Sequence, residues 1–151
     1  MRPAVTLRNA VRAAQTADSL NLPMGLRLLP AAAWMGLIFV LSSRSQLPDP
    51  LGPNLTAVAG HLFAYGVLAI LLWWGLVSWG HSPGWRLSLA FIGAVVHGLT
   101  DEWHQSFVPG RDPTLLDVVI DGIGALVGVS VVHLLARRRS KAQFVSERST
   151  E

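Results

Sequence analysis

Asp101-Glu102-Trp103-His104-Gln105 sets two carboxylates, an imidazole and an amide within five consecutive residues. Groups of these types exchange protons, ligate cations or hydrogen-bond polar head groups. The same chemistry recurs along the chain. His61 stands four residues before Tyr65, His97 four before Asp101, and Asp117 four before Asp121, while Arg111 falls between the two acidic stretches. A separation of four stacks two side chains on one face of a helix, so helices are the elements that must position this set.

Composition says what surrounds those helices. The chain has 151 residues, 51% of them hydrophobic and only 14% charged, with a mean hydropathy of +0.43. No Asp, Glu, Lys or Arg occurs between Asp49 and Arg86, a longer gap than the roughly 20 apolar residues that span a bilayer. An all-α integral membrane protein is expected, with lipid as its first partner. A charged side chain near the bilayer centre costs about 2.5–3.5 kcal/mol on insertion scales, so acids there face other helices or water and mark a site. The absence of cysteine excludes disulfides and thiolate metal sites. Of the 12 basic residues 11 are arginine, and most lie towards the two ends. That placement is a topology signal, and no nucleic-acid partner is expected.

Four spans account for the hydrophobic pattern. Residues 28–41 form a short uncharged stretch that can span as residues 23–43 if Arg27 snorkels to the interface. A signal peptide competes here, but no small-x-small cleavage site follows, so an uncleaved helix is expected. Residues 42–56 hold three prolines and a glycine and read as a loop. The second span covers residues 57–79 and leaves through Gly80, Pro83 and Gly84, with Trp79 and Trp85 suited to the interface. The third runs over residues 86–107, the loop of residues 108–114 follows, and the fourth covers residues 115–136. The expected organisation is a basic tail at 1–27, a four-helix transmembrane domain at 28–136 and a second basic tail at 137–151. An amphipathic surface helix over residues 4–17 is a weaker alternative to a plain tail. Four basic residues precede the first span, five follow the last, and each proline-rich loop carries one; the positive-inside rule then places both termini in the cytoplasm.

That topology gathers the polar side chains in the outer half of the membrane. On the third span, with His97 at zero, Asp101 lies at about 40°, Gln105 at about 80°, Glu102 at about 140° and His104 at about 340°. Val96, Leu99, Thr100 and Trp103 occupy the opposite arc and meet lipid or a partner. On the fourth span Asp117, Asp121, Gly124 and Gly128 form one stripe, which the two glycines fit for close helix approach. His61 and Tyr65 are spaced to bond each other or the acids opposite. Arg111 is placed to pair with Glu102, Asp117 or Asp121, or with an anionic head group. His81 and His133 have no acid nearby in sequence and read as structural.

Read together, His61-Leu-Phe-Ala-Tyr65-Gly-Val-Leu68, then Glu102-Trp-His-Gln105-Ser-Phe107-Val-Pro109-Gly110-Arg111, and finally Asp117-x-x-x-Asp121-x-x-Gly124-x-x-x-Gly128 closely resemble the VanZ-like family of small membrane proteins over about residues 28 to 136. The H-x-x-x-Y element alone is weak, whereas the later two elements are specific. The resemblance implies a role in the bacterial cell envelope, a place in the cytoplasmic membrane, and a link to teicoplanin resistance through the family's named member. Many members carry Asp-Lys where this chain has Ala57 and Val58, so whatever that ion pair does is not carried over.

Three functions fit these residues. In the first, a polar pocket of His61, Tyr65, Glu102, Gln105, Arg111, Asp117 and Asp121, supported by His97, Asp101 and His104, binds a lipid or a lipid-linked envelope precursor. In the second, the chain is an intramembrane acid/base or metal-dependent enzyme, with His97, Asp101, His104 and Glu102 joined by Asp117 or Asp121 as ligands; the residues name no cofactor, and a di-iron bundle would need a second E-x-x-H. In the third it is a proton-coupled transporter, which polar groups in one half of the membrane disfavour unless a homo-oligomer completes the path.

Overall fold

The structure, a computed structural model, describes residues 23–45, 53–79 and 82–148. Among the described residues four helices form an antiparallel bundle: α1 (Met24–Ser42), α2 (Pro53–Gly75), α3 (Pro83–Gln105) and α4 (Leu115–Arg148). A short 3-10 turn, Leu76–Trp79, follows α2. Three of the helices contain stretches long and apolar enough to cross a membrane, Gly25–Ser42, Leu55–Gly75 and Leu115–Arg138. The fourth, α3, has the same 23 residues as α2 but carries the polar run of its last two turns. The expected all-α membrane bundle is therefore what the chain forms. Residues 1–22 of the predicted first tail (1–27) and residues 149–151 of the second (137–151) lie outside the described residues, as do His81 and much of the first loop.

Proline sets several boundaries earlier than the loop reading expected. Pro53 begins α2 four residues before Ala57, and Pro83 begins α3 three before Arg86. The first helical turn needs no donor from these positions, and proline's fixed φ suits it. Ser82 caps α3 by accepting the Trp85 backbone N–H at 3.4 Å. At the other extreme, α4 does not stop at Ala136. No glycine or proline occurs between Gly128 and Arg148, so nothing breaks the hydrogen-bond ladder and the helix continues through the basic run.

The α2–α4 interface is the most extensive, followed by α3–α4, while α1 packs on α2 and α3. Small residues bring α2 and α4 together. A Cβ on Gly124 would stand 2.5 Å from the Leu62 carbonyl oxygen and 2.9 Å from its Cα, and one on Gly128 would meet the Gly66 backbone. The expected glycine stripe thus faces α2 in backbone-to-backbone contact. Between these helices the core is built from Tyr65, Leu68, Ala69, Ala90, Ala94, Ala125 and Val129. Trp34 fastens α1 by donating its indole N–H to the Ala64 carbonyl at 2.9 Å.

The outside is apolar. Phe63, Val96, Leu99, Trp103, Leu126 and Val127 are all at least half exposed or nearly so, as a lipid-facing surface requires. Thr100 and Ser130, also on the outside, donate to the carbonyls of Val96 and Leu126 in their own helices, so neither leaves a hydroxyl unpaired in hydrocarbon.

Candidate functional site

All four helices bring polar side chains to one end of the bundle. It is the end where α1 finishes at Ser42, α2 begins, α3 finishes at Gln105 and α4 begins at Leu115. Asp101, Glu102, Gln105 and Asp121 are buried there at 5%, 7%, 4% and 0% exposure, an inversion of the apolar exterior.

The deepest contact joins α2 to α4. His61 Nδ1 lies 2.8 Å from Asp121 Oδ1, with the Asp121 side chain fully buried. It is positioned by the glycine crossing: Gly124 lets α4 rest on Leu62, which brings the residue one turn back on α4 against the neighbour of Leu62. From α3, Gly98 supplies the remaining space. A Cβ there would come within 2.7 Å of Asp121 Oδ2, and that oxygen is buried without a hydrogen-bond partner.

A second contact joins α1 to α3. The Ser42 hydroxyl sits 2.6 and 2.7 Å from the two oxygens of Asp101 and donates to the carboxylate, while the Gln105 amide donates to Asp101 Oδ2 at 2.9 Å. Gln105 also reaches Glu102 Oε1 at 3.4 Å. Nearby, Ser43 Oγ lies 2.9 Å from His104 Nε2, whose ring stacks on Phe39 with centroids 4.1 Å apart. Because Ser43 donates to the Phe39 carbonyl at 2.7 Å, its oxygen is left to accept from His104.

Thr114 ties the third contact. Its backbone N–H donates to Glu102 Oε2 at 2.9 Å, its hydroxyl donates to Asp117 Oδ2 at 3.1 Å, and it accepts the Asp117 backbone N–H at 3.2 Å. One residue both caps α4 and fixes two carboxylates. One ligand atom each from His61, Glu102 and Asp117 lies within 4.8 Å of the others. These three, from three different helices, are the described residues placed to hold a cation.

The structure divides the sequence-derived set. His61, Glu102, Asp117 and Asp121 come together, with Gln105 linking Glu102 to Asp101. His61 and Tyr65 do not bond each other: their rings lie parallel at 6.3 Å, and the Tyr65 hydroxyl instead approaches His97 Nδ1 at 3.4 Å. Neighbours four apart stack, and each reaches across to another helix. The ligand set of His97, Asp101 and His104 is not assembled either, because these side chains turn to Tyr65, Ser42 and Ser43 respectively. Arg111 forms no ion pair with any of the acids among the described residues, and its Nε is buried without a partner. Ser42, Ser43, Thr114 and Gly98 are members that sequence reasoning missed. The two serines sit at the end of a span that reaches the same level as Asp101, and Thr114 directly precedes a helix with an acid at its third position; those were the available signals.

A helical membrane bundle with a cross-linked polar network at one end is the class of protein this describes. The chain belongs to the VanZ/LLP1 family, whose model matches residues 6–136. No curated protein and no solved structure matches it.

Proposed function

We propose that this is a VanZ-type protein of the bacterial cytoplasmic membrane, with both termini cytoplasmic, basic tails flanking a transmembrane domain at 28–136, and a polar pocket in the outer leaflet that binds a lipid or lipid-linked head group. Through that ligand it influences susceptibility to glycopeptides such as teicoplanin. The observation that carries this reading is Arg111. It lies in the loop between α3 and α4, at the end of the bundle whose acids are already held by Ser42, Gln105, Thr114 and His61, and its guanidinium forms no ion pair among the described residues. A partly buried guanidinium with no anion among the described residues fits a phosphate or pyrophosphate, which it grips through two parallel hydrogen bonds. Tyr65, Glu102 and Gln105 bond the polar remainder, and the exposed apolar flanks accept acyl chains.

Arg111→Lys keeps the charge and loses the fork. Native mass spectrometry of protein purified in mild detergent should show a copurified phospho-head-group lipid with the wild type. The Lys variant should retain it about 10- to 100-fold more weakly, the scale of one lost hydrogen bond to a charged group. Equal retention by the two proteins removes the reading.

A further inference from the structure

We propose that His61, Glu102 and Asp117 form a binding site for one divalent transition cation, with Asp121 orienting the imidazole. The inference does not depend on the head-group reading. Donors about 2.1 Å from a cation stand about 3–3.5 Å from one another. The three donor atoms already lie within 4.8 Å of each other, so side-chain adjustment alone closes the set.

The surroundings match what metal ligands need. A ligating histidine hands its other ring N–H to a carboxylate, which fixes tautomer and ring orientation. Asp121 accepts from His61 Nδ1 at 2.8 Å, leaving Nε2 as the ligating nitrogen. Each carboxylate is likewise held through one oxygen, which leaves the other to a cation: Thr114 bonds Glu102 Oε2 at 2.9 Å and Asp117 Oδ2 at 3.1 Å.

Charge supplies a separate argument. Asp101, Glu102, Asp117 and Asp121 meet at this end, and no Lys or Arg pairs with any of them among the described residues. Asp121 is wholly buried, directs one oxygen at the imidazole of the site, and has no hydrogen-bond partner for the other. Carboxylates crowded in a poorly solvated site repel unless a cation compensates them. Imidazole with two carboxylates and no thiolate suits Mn2+, Fe2+ or Zn2+. Three protein donors leave further positions open for water or a ligand oxygen.

The test uses full-length protein in nanodiscs, stripped with EDTA and titrated with Mn2+ and, separately, Zn2+. The wild type should bind one equivalent, and pulsed electron paramagnetic resonance of the Mn2+ form should show coupling to a single imidazole nitrogen. His61→Gln should abolish that coupling. Glu102→Gln and Asp117→Asn should each weaken binding at least about 100-fold, and Asp121→Asn about 10- to 100-fold, the usual effect of losing an outer-sphere partner. The wild-type readout decides even where a variant does not fold: absence of saturable binding of both cations below about 100 µM, or Mn2+ binding without imidazole coupling, overturns the proposal. Added lipid plays no part in the measurement, so loss of the head-group reading would leave this result standing.

Discussion

The two ends of the bundle handle charge in opposite ways. At the end where α2 and α4 begin, three acids are buried to 7% exposure or less and held by hydrogen bonds that cross between helices. At the other end two of the described charges, Arg27 and Arg86, each set a guanidinium over an indole, Trp74 at 5.9 Å and Trp73 at 5.7 Å. A cation over an aromatic face has broad directional tolerance and fits a membrane interface. A buried carboxylate has none: it needs donors at defined positions or its desolvation is uncompensated. The first end is therefore built to a geometry, and the second anchors the protein.

Glycine substitutions should separate the ends most sharply. Gly124→Ala drives a Cβ into the Leu62 backbone, a rigid neighbour, and should destabilise the bundle by about 1–3 kcal/mol or more, as overpacking does. Gly84→Ala at the opposite end meets nothing within 4 Å and should be neutral or stabilising by up to about 1 kcal/mol through helix propensity. Thermal unfolding in one detergent compares the two, and equal behaviour would erase the contrast. Next in size, Asp121→Asn removes the charge that faces His61 and should cost about 1.5–3 kcal/mol. Gly98→Ala, which crowds the same carboxylate from α3, should produce a loss that does not add to it, because the two share one contact. A double-mutant cycle measures this, and full additivity would show that Gly98 acts elsewhere. The smallest effect belongs to the aromatic end: Trp73→Leu should change stability by only about 0.5–1 kcal/mol, and a cost equal to that of Asp121→Asn would mean the anchoring end is equally exacting.

Much of this was visible in one dimension. Hydropathy showed the spans and the lipid-facing arc of Val96, Leu99 and Trp103, because a helix in lipid must be apolar wherever it meets acyl chains. The Gly124–Gly128 stripe was legible for a related reason: only missing side chains allow two helices to touch at the backbone. Helix boundaries were less so, since Pro53 and Pro83 can end a loop or begin a helix, and only the following turn distinguishes the two.

Partner choice was the part that sequence could not decide. A spacing of four puts His61 near Tyr65 and His97 near Asp101, and that rule is correct about proximity along a helix. It is silent about which neighbour across the bundle competes for the same side chain. His61 bonds Asp121, 60 positions away, and Asp101 is met by Ser42, 59 away. Those pairings follow from the crossing point and rotation of helices packed through glycine and alanine, which depend on every side chain in the interface at once. The chain's own periodicity thus determined that a polar face exists and at which end of the membrane spans it lies. The tertiary structure alone decided that His61, Glu102 and Asp117 converge while His97, Asp101 and His104 part, because contact between helices is set by packing geometry and not by distance along the chain.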